Sequence, residues 1–243
     1  MDIHSILRKA KIDDIINELR RRIECSLMPI RNLLIFGPPA SGKSTMAKKL
    51  AEEFCLCHIS YHELLRKNSV GNYSLSKQIQ DSLKNNKEIP ENIIFDILSK
   101  ETENPECYAG FVLTHFQRKK SQISLVNQIA QNSKGVAIQK VFNLSCEEPM
   151  LFERIEGKRV HESSGRIYHI KHNPPKVQGI DDITGENLIK RAQDNGSSLK
   201  SRIFEYLKEF REVSEEYKKE RIYYNIDANQ SIEHTYKNIK NYF

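Results

Sequence analysis

The stretch Leu33-Leu34-Ile35-Phe36-Gly37-Pro38-Pro39-Ala40-Ser41-Gly42-Lys43-Ser44-Thr45 decides the fold. Four apolar residues predict a buried strand. A tight loop follows, and then a helix whose apolar positions Met46, Ala47, Leu50, Ala51 and Phe54 recur at helical spacing. The loop fits G-x-x-x-x-G-K-[ST], the phosphate-binding P-loop. Gly37 and Gly42 let the backbone turn and approach an anion without a clashing Cβ. The loop N–H groups then point inward and cradle phosphate oxygens at a helix N-terminus. Lys43 reaches the β- and γ-phosphates, and the Ser44 hydroxyl is a ligand for Mg²⁺.

Composition bounds the rest. The chain has 243 residues, 38% of them hydrophobic, and a formal net charge of +6. Mean hydropathy is −0.60. No apolar run approaches the roughly 20 residues of a membrane span, and acids and bases interrupt residues 1–22, so neither a secretory nor a transit segment is expected. A cytoplasmic chain is the expectation. The five cysteines, Cys25, Cys55, Cys57, Cys107 and Cys146, show no paired C-x-x-C spacing. Neither a disulfide frame nor a zinc site is indicated, and Cys55 and Cys57 read as a reduced, buried pair. The positive charge suits a polyanionic ligand. No basic patch interleaved with aromatics points to nucleic acid.

Around the P-loop, strands and helices alternate. Residues 1–29 form an N-terminal extension in which Ile12, Ile15, Ile16, Leu19 and Ile23 mark one helix face, expected to pack on the domain. Short apolar strands are expected at 58–60, 110–113, 136–138 with 141–144, and 222–226, with helices at 76–85, 90–100, 121–133, 147–159, 197–219 and 231–242. Residues 160–190 are rich in Gly, Pro, Ser and Asn and read as a loop-rich insertion. Strict alternation argues for a parallel α/β sheet with right-handed crossovers. In such a fold the functional groups follow the strands' carboxyl ends. There the sequence places Arg66 and Arg118. Arg154, Lys158 and Arg159 precede the insertion, and Arg191 and Arg202 follow it. Phosphoryl transfer is catalysed by positioning and by neutralising charge on phosphate oxygens, which a spread set of cations provides.

From about Asn32 to the C-terminus these residues resemble the adenylate kinase or nucleoside monophosphate kinase family, in its long-LID form. Gly37-Pro-Pro-Ala-Ser-Gly-Lys43, His58-Ile59-Ser60 with Leu64-Leu65-Arg66, and Gly110-Phe111-Val112-Leu113 with Phe116, Arg118 and Gln122 are similar to its motifs. The longest match runs from Arg154-Ile155-Glu156-Gly157-Lys158-Arg159-Val160-His161 through Gly165-Arg166-Ile167-Tyr168-His169 and Asn173-Pro174-Pro175-Lys176-Val177 to Asp181-Asp182-Ile183-Thr184-Gly185-Glu186. The resemblance implies a three-layer P-loop fold with a five-stranded parallel sheet. Its core would be 30–60, 104–158 and 192–243, its monophosphate-binding subdomain 61–103 and its LID 159–191.

By position, the resemblance implies that Gly37 to Thr45, Arg154 and His169 bind ATP, while Ser60, Tyr61, Arg66, Ile89, Arg118 and Gln122 bind the nucleoside monophosphate. Lys43, Arg118, Arg154, Lys158, Arg191 and Arg202 would clamp the transferring phosphoryl group, with Mg²⁺ held through Ser44, phosphates and water. The LID has no cysteine, which resembles the zinc-free type. There His161, Ser164, Asp181 and Thr184 would form a hydrogen-bonded cluster. A monomer with no nucleic-acid or membrane partner is implied.

The chain departs from the family pattern in places. Tyr61-His62-Glu63 stands for Thr-Gly-Asp, and Thr114-His115-Phe116-Gln117-Arg118 for Asp-Gly-Phe-Pro-Arg. Thr114 carries no charge with which to organise Mg²⁺. Ala40 replaces one P-loop glycine and Ser44 another, and Lys158 replaces an arginine, keeping charge and losing the fork. Two functions follow: transfer of the ATP γ-phosphoryl to a nucleoside monophosphate, AMP by default, or nucleotide binding without useful transfer, as a sensor or binding module.

Overall fold

The computed structural model describes residues 12–70, 74–85, 87–116, 119–191 and 194–243. Contacts divide the chain into two compact units. One comprises 1–34, 47–114 and 124–139, the other 35–46, 115–123 and 140–243.

A five-stranded sheet has the order β2-β3-β1-β4-β7. Its strands are β1 (Arg31–Phe36), β2 (Cys57–Ser60), β3 (Gly110–Thr114), β4 (Lys140–Ser145) and β7 (Tyr223–Asp227). The fold is the mixed α/β sheet that the sequence predicts. In the first unit β2 runs parallel to β3, with Ser60 level with Thr114 at the carboxyl end. In the second, β4 runs parallel to β7, ending at Ser145 and Asp227. β3 is buried along its whole length and β1 nearly so, as expected of strands covered on both faces. The fourth strand is shorter than its apolar run, because 136–138 precede it as irregular chain. There the Val136 carbonyl accepts from the side chain of buried Asn32.

The helices are α1 (Ile12–Leu27), α2 (Lys43–Phe54), α3 (Tyr61–Asn68), α4 (Ser74–Lys84), α5 (Glu91–Thr102), α6 (Ser121–Lys134), α7 (Glu148–Gly157), α8 (Gly196–Lys219) and α9 (Ile232–Lys240). Pro90 stands immediately before α5 as its N-cap. Asn195 caps α8 by accepting from the Ser198 amide. α7 stops two residues before the expected end, because Lys158 opens β5 (Lys158–Val160), antiparallel to β6 (Ile167–His169).

Two expectations are corrected. The cysteines are paired, Cys25 with Cys55 and Cys57 with Cys107, with Cα atoms 5.3 and 4.7 Å apart. Both separations suit a disulfide. The partners lie 30 and 50 residues apart in sequence, so spacing alone carried no sign of them. Only Cys146 is a free thiol. The second correction concerns α1. Its apolar face does not pack inward: Ile12, Ile16, Leu19, Ile23 and Leu27 are exposed, and Cys25 is its one buried residue. The disulfide at Cys25 fixes the opposite face, so the stripe turns to solvent.

Gly110 begins β3 at φ +105°, a conformation that L side chains rarely adopt. A Cβ there would stand 2.3 Å from the Arg31 carbonyl oxygen and 2.8 Å from Asn32 Oδ1. Gly110→Ala is therefore expected to cost about 3 kcal/mol through backbone strain and overpacking. Urea denaturation checks this: the midpoint falls while the slope is unchanged.

Candidate active site

The site's most constrained part is the loop between β1 and α2. Gly37 lies at φ +148°, and a Cβ on it would meet Ser41 Oγ at 2.5 Å and the Leu144 carbonyl oxygen at 2.9 Å. Only glycine lets the chain turn there. Ala40 takes φ +65°, so the family's glycine position keeps its left-handed backbone with an alanine in it. The Ser41 amide donates to the Pro38 carbonyl at 3.2 Å and closes the turn. Ser41 Oγ is buried with no hydrogen-bond partner among the described residues. Ser44, in the first turn of α2, is half-buried and Thr45 exposed.

Lys43 is buried. Its Nζ donates to the Gly37 and Pro38 carbonyls, each at 2.7 Å. Burial, and then the Arg202 charge, push its ammonium down to about 7. Without an anion, the ammonium thus rests on the loop's own carbonyls. A phosphate offers a better counter-charge and holds the proton. Nucleotide affinity should be flat below about pH 7 and weaken by up to about tenfold per pH unit above it, as the free protein loses the proton. Calorimetry of ATP binding across pH 6 to 9 checks this, with net proton uptake on binding above pH 7.

Arg154, from α7, reaches the same loop. Its Nη1 donates to the Ser41 carbonyl at 3.3 Å, and its Nη2 to the Ala228 carbonyl at 2.7 Å, just past the end of β7. Leu151 and Ile155 of α7 pack on Leu199 and Ile203 of α8, with Ala40 against them. This small core packs α7 and α8 with the loop, and the Arg202 charge on α8 bears on Lys43 while Arg154 on α7 reaches the Ser41 carbonyl. Lys158, at the start of the insertion, pairs with buried Asp194 at 3.1 Å. Asp194 had no role in the sequence reading. Its position immediately before the N-cap of α8 was the available signal.

The insertion is held by backbone and by a polar cluster. Val160 and Ile189 exchange two backbone hydrogen bonds of 2.8 and 2.9 Å. Buried Asp181 accepts a bidentate pair from Arg166, at 2.8 and 2.6 Å. It also accepts from the Tyr168 hydroxyl, the Thr184 hydroxyl and the Ile183 and Thr184 amides. The Arg166 guanidinium holds its carboxyl far below the usual carboxylate range. Buried His161 places Nδ1 2.7 Å from Ser164 Oγ and 3.3 Å from Arg166 Nη2. Its Nε2 faces Glu186 and Thr184. A guanidinium can only donate, so Nδ1 accepts and the ring proton sits on Nε2 toward the Glu186 carboxylate. The four residues expected of a zinc-free cluster are thus together. Arg166, Tyr168 and Glu186 complete it, and the sequence reading had given them no part in it.

His169 packs its ring on Gly157, where a Cβ would come within 2.4 Å of it, and its Nδ1 accepts from the Lys171 and His172 amides. Arg191 is half-buried where the insertion returns to α8. Gln122 is half-buried in the first turn of α6. Arg118 lies outside the described residues.

In the first unit Ser60 is buried, Tyr61 and Ile89 are half-buried, and Arg66 is exposed on α3. Thr114 is buried, and its hydroxyl lies 3.0 Å from His58 Nε2. Burial, and then the Lys48 charge, push the His58 imidazole down to about 4, so it is neutral at pH 7. A neutral pair stands at the end of β3 where the family pattern has a carboxylate. His115, in the second unit, takes φ +62°, keeping the left-handed backbone of the glycine it replaces.

The comparisons agree with this geometry. The family model described as adenylate kinase matches residues 35–222. Adenylate kinase 4 of Arabidopsis thaliana is 34% identical over 227 residues, 93% of this chain and 92% of the relative. Adenylate kinase 4 of Oryza sativa subsp. japonica is 35% identical over 215 residues, 88% of each. An adenylate kinase of Kluyveromyces lactis is 34% identical over 199 residues, 82% of this chain and 87% of the relative. With a P-loop that buries its lysine and receives Arg154, the chain belongs to the adenylate kinase family and is a phosphotransferase of the nucleoside monophosphate kinase type.

Proposed function

We propose that the chain transfers the γ-phosphoryl group of ATP to AMP, giving two ADP. An oxygen of the AMP phosphate attacks the γ-phosphorus in line, and ADP leaves without a covalent enzyme intermediate. The observation that carries this reading is Arg154 donating to the Ser41 carbonyl of a loop that already buries Lys43. Two cations from different elements serve one phosphate site. The loop amides and Lys43 hold the triphosphate, and Arg154 and His169 lie on the ATP side. Arg66 and Arg118 hold the AMP phosphate, while Ser60, Tyr61, Ile89 and Gln122 shape its base site. Lys158, Arg191 and Arg202 neutralise charge on the transferring group.

Residues 61–103 act as the monophosphate-binding subdomain and 159–191 as the LID, on a core of 30–60, 104–158 and 192–243. Mg²⁺ fits the donors present. Among the described residues no three His, Cys, Asp or Glu side chains gather as a cage, while Ser44 supplies a hydroxyl at the loop. Ser44 would hold the ion together with the phosphates and water, and the ion would supply charge neutralisation there. One chain carries all these groups, so a monomer suffices for the reaction.

No helix among the described residues is long and apolar enough to cross a membrane. The cytoplasmic reading stands against two disulfides, which persist in oxidising compartments. Trapping thiols in protein taken directly from cells decides between them: four blocked cysteines would move the chain out of a reducing cytoplasm.

A coupled assay with ATP and each of AMP, GMP, CMP and UMP tests the acceptor. AMP should give the highest kcat/KM. A clear preference for another monophosphate would reassign the base site at Tyr61 and His115.

A further inference from the structure

We propose that two copies of this chain associate through antiparallel pairing of their α1 helices. On α1, Ile12, Ile16, Leu19, Ile23 and Leu27 follow one another at spacings of four, three, four and four residues. That spacing is a coiled-coil seam two or three residues wide. The seam is open to solvent: Ile12 is 75% exposed, Leu19 54%, Ile23 60% and Leu27 79%. Five large apolar side chains in a row on a 16-residue helix make a contiguous apolar patch of the kind that marks an interaction site. The helix is anchored from behind, since Cys25, on the opposite face, is bonded to Cys55. The stripe has nothing to cover it among the described residues.

The charges choose the occupant. Along α1 the first turn is acidic, with Asp13 and Asp14, and the second half carries Arg20, Arg21 and Arg22. Arg21 and Arg22 are paired to Glu18 of their own helix, at 2.8 Å each. Asp13 and Arg20 have no ion-pair partner among the described residues, and they lie two helical turns apart on one flank of the seam. In an antiparallel pair each flank meets the same flank of the other helix. Setting Ile12 against Ile23 and Ile16 against Leu19 of the second copy therefore brings Asp13 beside Arg20 of that copy, twice by the two-fold symmetry. A parallel pair would lay acidic turn on acidic turn and arginine run on arginine run. An anionic membrane surface is the other partner for an exposed amphipathic helix. Against it, α1 carries four carboxylates, Asp13, Asp14, Glu18 and Glu24, and three arginines, a net charge of −1. The contact is one helix pair, smaller than the roughly 1,200 Å² of a stable interface, so association is weak and concentration-dependent. No residue of α1 is among those assigned to the phosphate site.

Sedimentation velocity of the full chain without reductant, from micromolar to near-millimolar concentration, tests this. The wild type should pass from 28.3 kDa to twice that mass. Leu19→Asp should weaken association at least about a hundredfold, because each dimer would bury two carboxylates in the seam. Asp13→Arg and Arg20→Asp should each weaken it by about fivefold, and the double variant should restore it. All four variants should retain the wild-type kcat with ATP and AMP. A single 28.3 kDa species throughout would overturn the proposal. So would failure of the double variant to recover. Flotation of the wild type, but not Leu19→Asp, with vesicles of phosphatidylserine and phosphatidylcholine would transfer the stripe to a lipid surface and overturn it too.

Discussion

Lys43→Met is expected to lower kcat for ADP formation by about a thousandfold, the cost of removing one preorganised cation from a water-poor phosphate site. The same change should leave the fold intact and raise its stability below pH 7. The reason lies in the titration. Burial and Arg202 push the ammonium down to about 7, so the folded chain binds the Lys43 proton less readily than the unfolded chain. The stability cost of charging Lys43 is absent above the lysine's ordinary pKa, grows as pH falls, and is complete below about 7. Methionine fills similar volume without charge. A variant that melts higher at pH 6 and turns over at background rate would mark Lys43 as a functional group held at the expense of stability. A variant that simply unfolds would mark it as structural. Paired thermal melts and steady-state assays check this.

The second large effect is expected at Asp181. It is buried and gathers Arg166, Tyr168, Thr184 and two backbone amides. Asp181→Asn removes the charge that the Arg166 guanidinium pairs with and turns one acceptor oxygen into a donor facing other donors. Residues 159–191 have few large buried side chains to compensate, Val160 and Tyr168 being the main ones. Their amides should lose hydrogen-exchange protection while the sheet retains it. Turnover should fall by about a hundredfold, the usual penalty for misplacing groups around a reacting centre. The wild-type cluster should be acid-resistant. The native Asp181 carboxyl titrates far below its ordinary value, so its contribution is fully present above about pH 4 and is lost only in stronger acid. Hydrogen exchange followed by mass spectrometry, at neutral and acid pH, reads both effects.

Local rules made much of this legible in sequence. The P-loop could be read because a glycine at φ +148° and a buried lysine leave a fixed spacing, and the apolar runs of β1 and β3 because strands buried on both faces lose their alternation. The cluster at His161 was legible only through the family resemblance. No spacing rule links Arg166 to Asp181, 15 residues on, or His161 to Glu186, 25 residues on. The disulfides were illegible for the same reason: tertiary proximity, and not spacing, pairs Cys57 with Cys107. α1 shows the limit of pattern reading most clearly. Its amphipathic period was correct and its exposure was not, because a period states which residues share a face and not what covers that face. The His58–Thr114 pair combines both: the missing carboxylate was visible in sequence, and the neutral histidine beside Thr114 needed the strand register.

The central claim is phosphoryl transfer between nucleotides, and the direct test is ADP production from ATP and AMP with Mg²⁺, followed by ³¹P nuclear magnetic resonance. The account predicts that ATP and AMP signals fall together while ADP rises at twice the rate of either, and that Lys43→Met abolishes the change. ATP binding with no ADP formed from AMP or any other nucleoside monophosphate would contradict it.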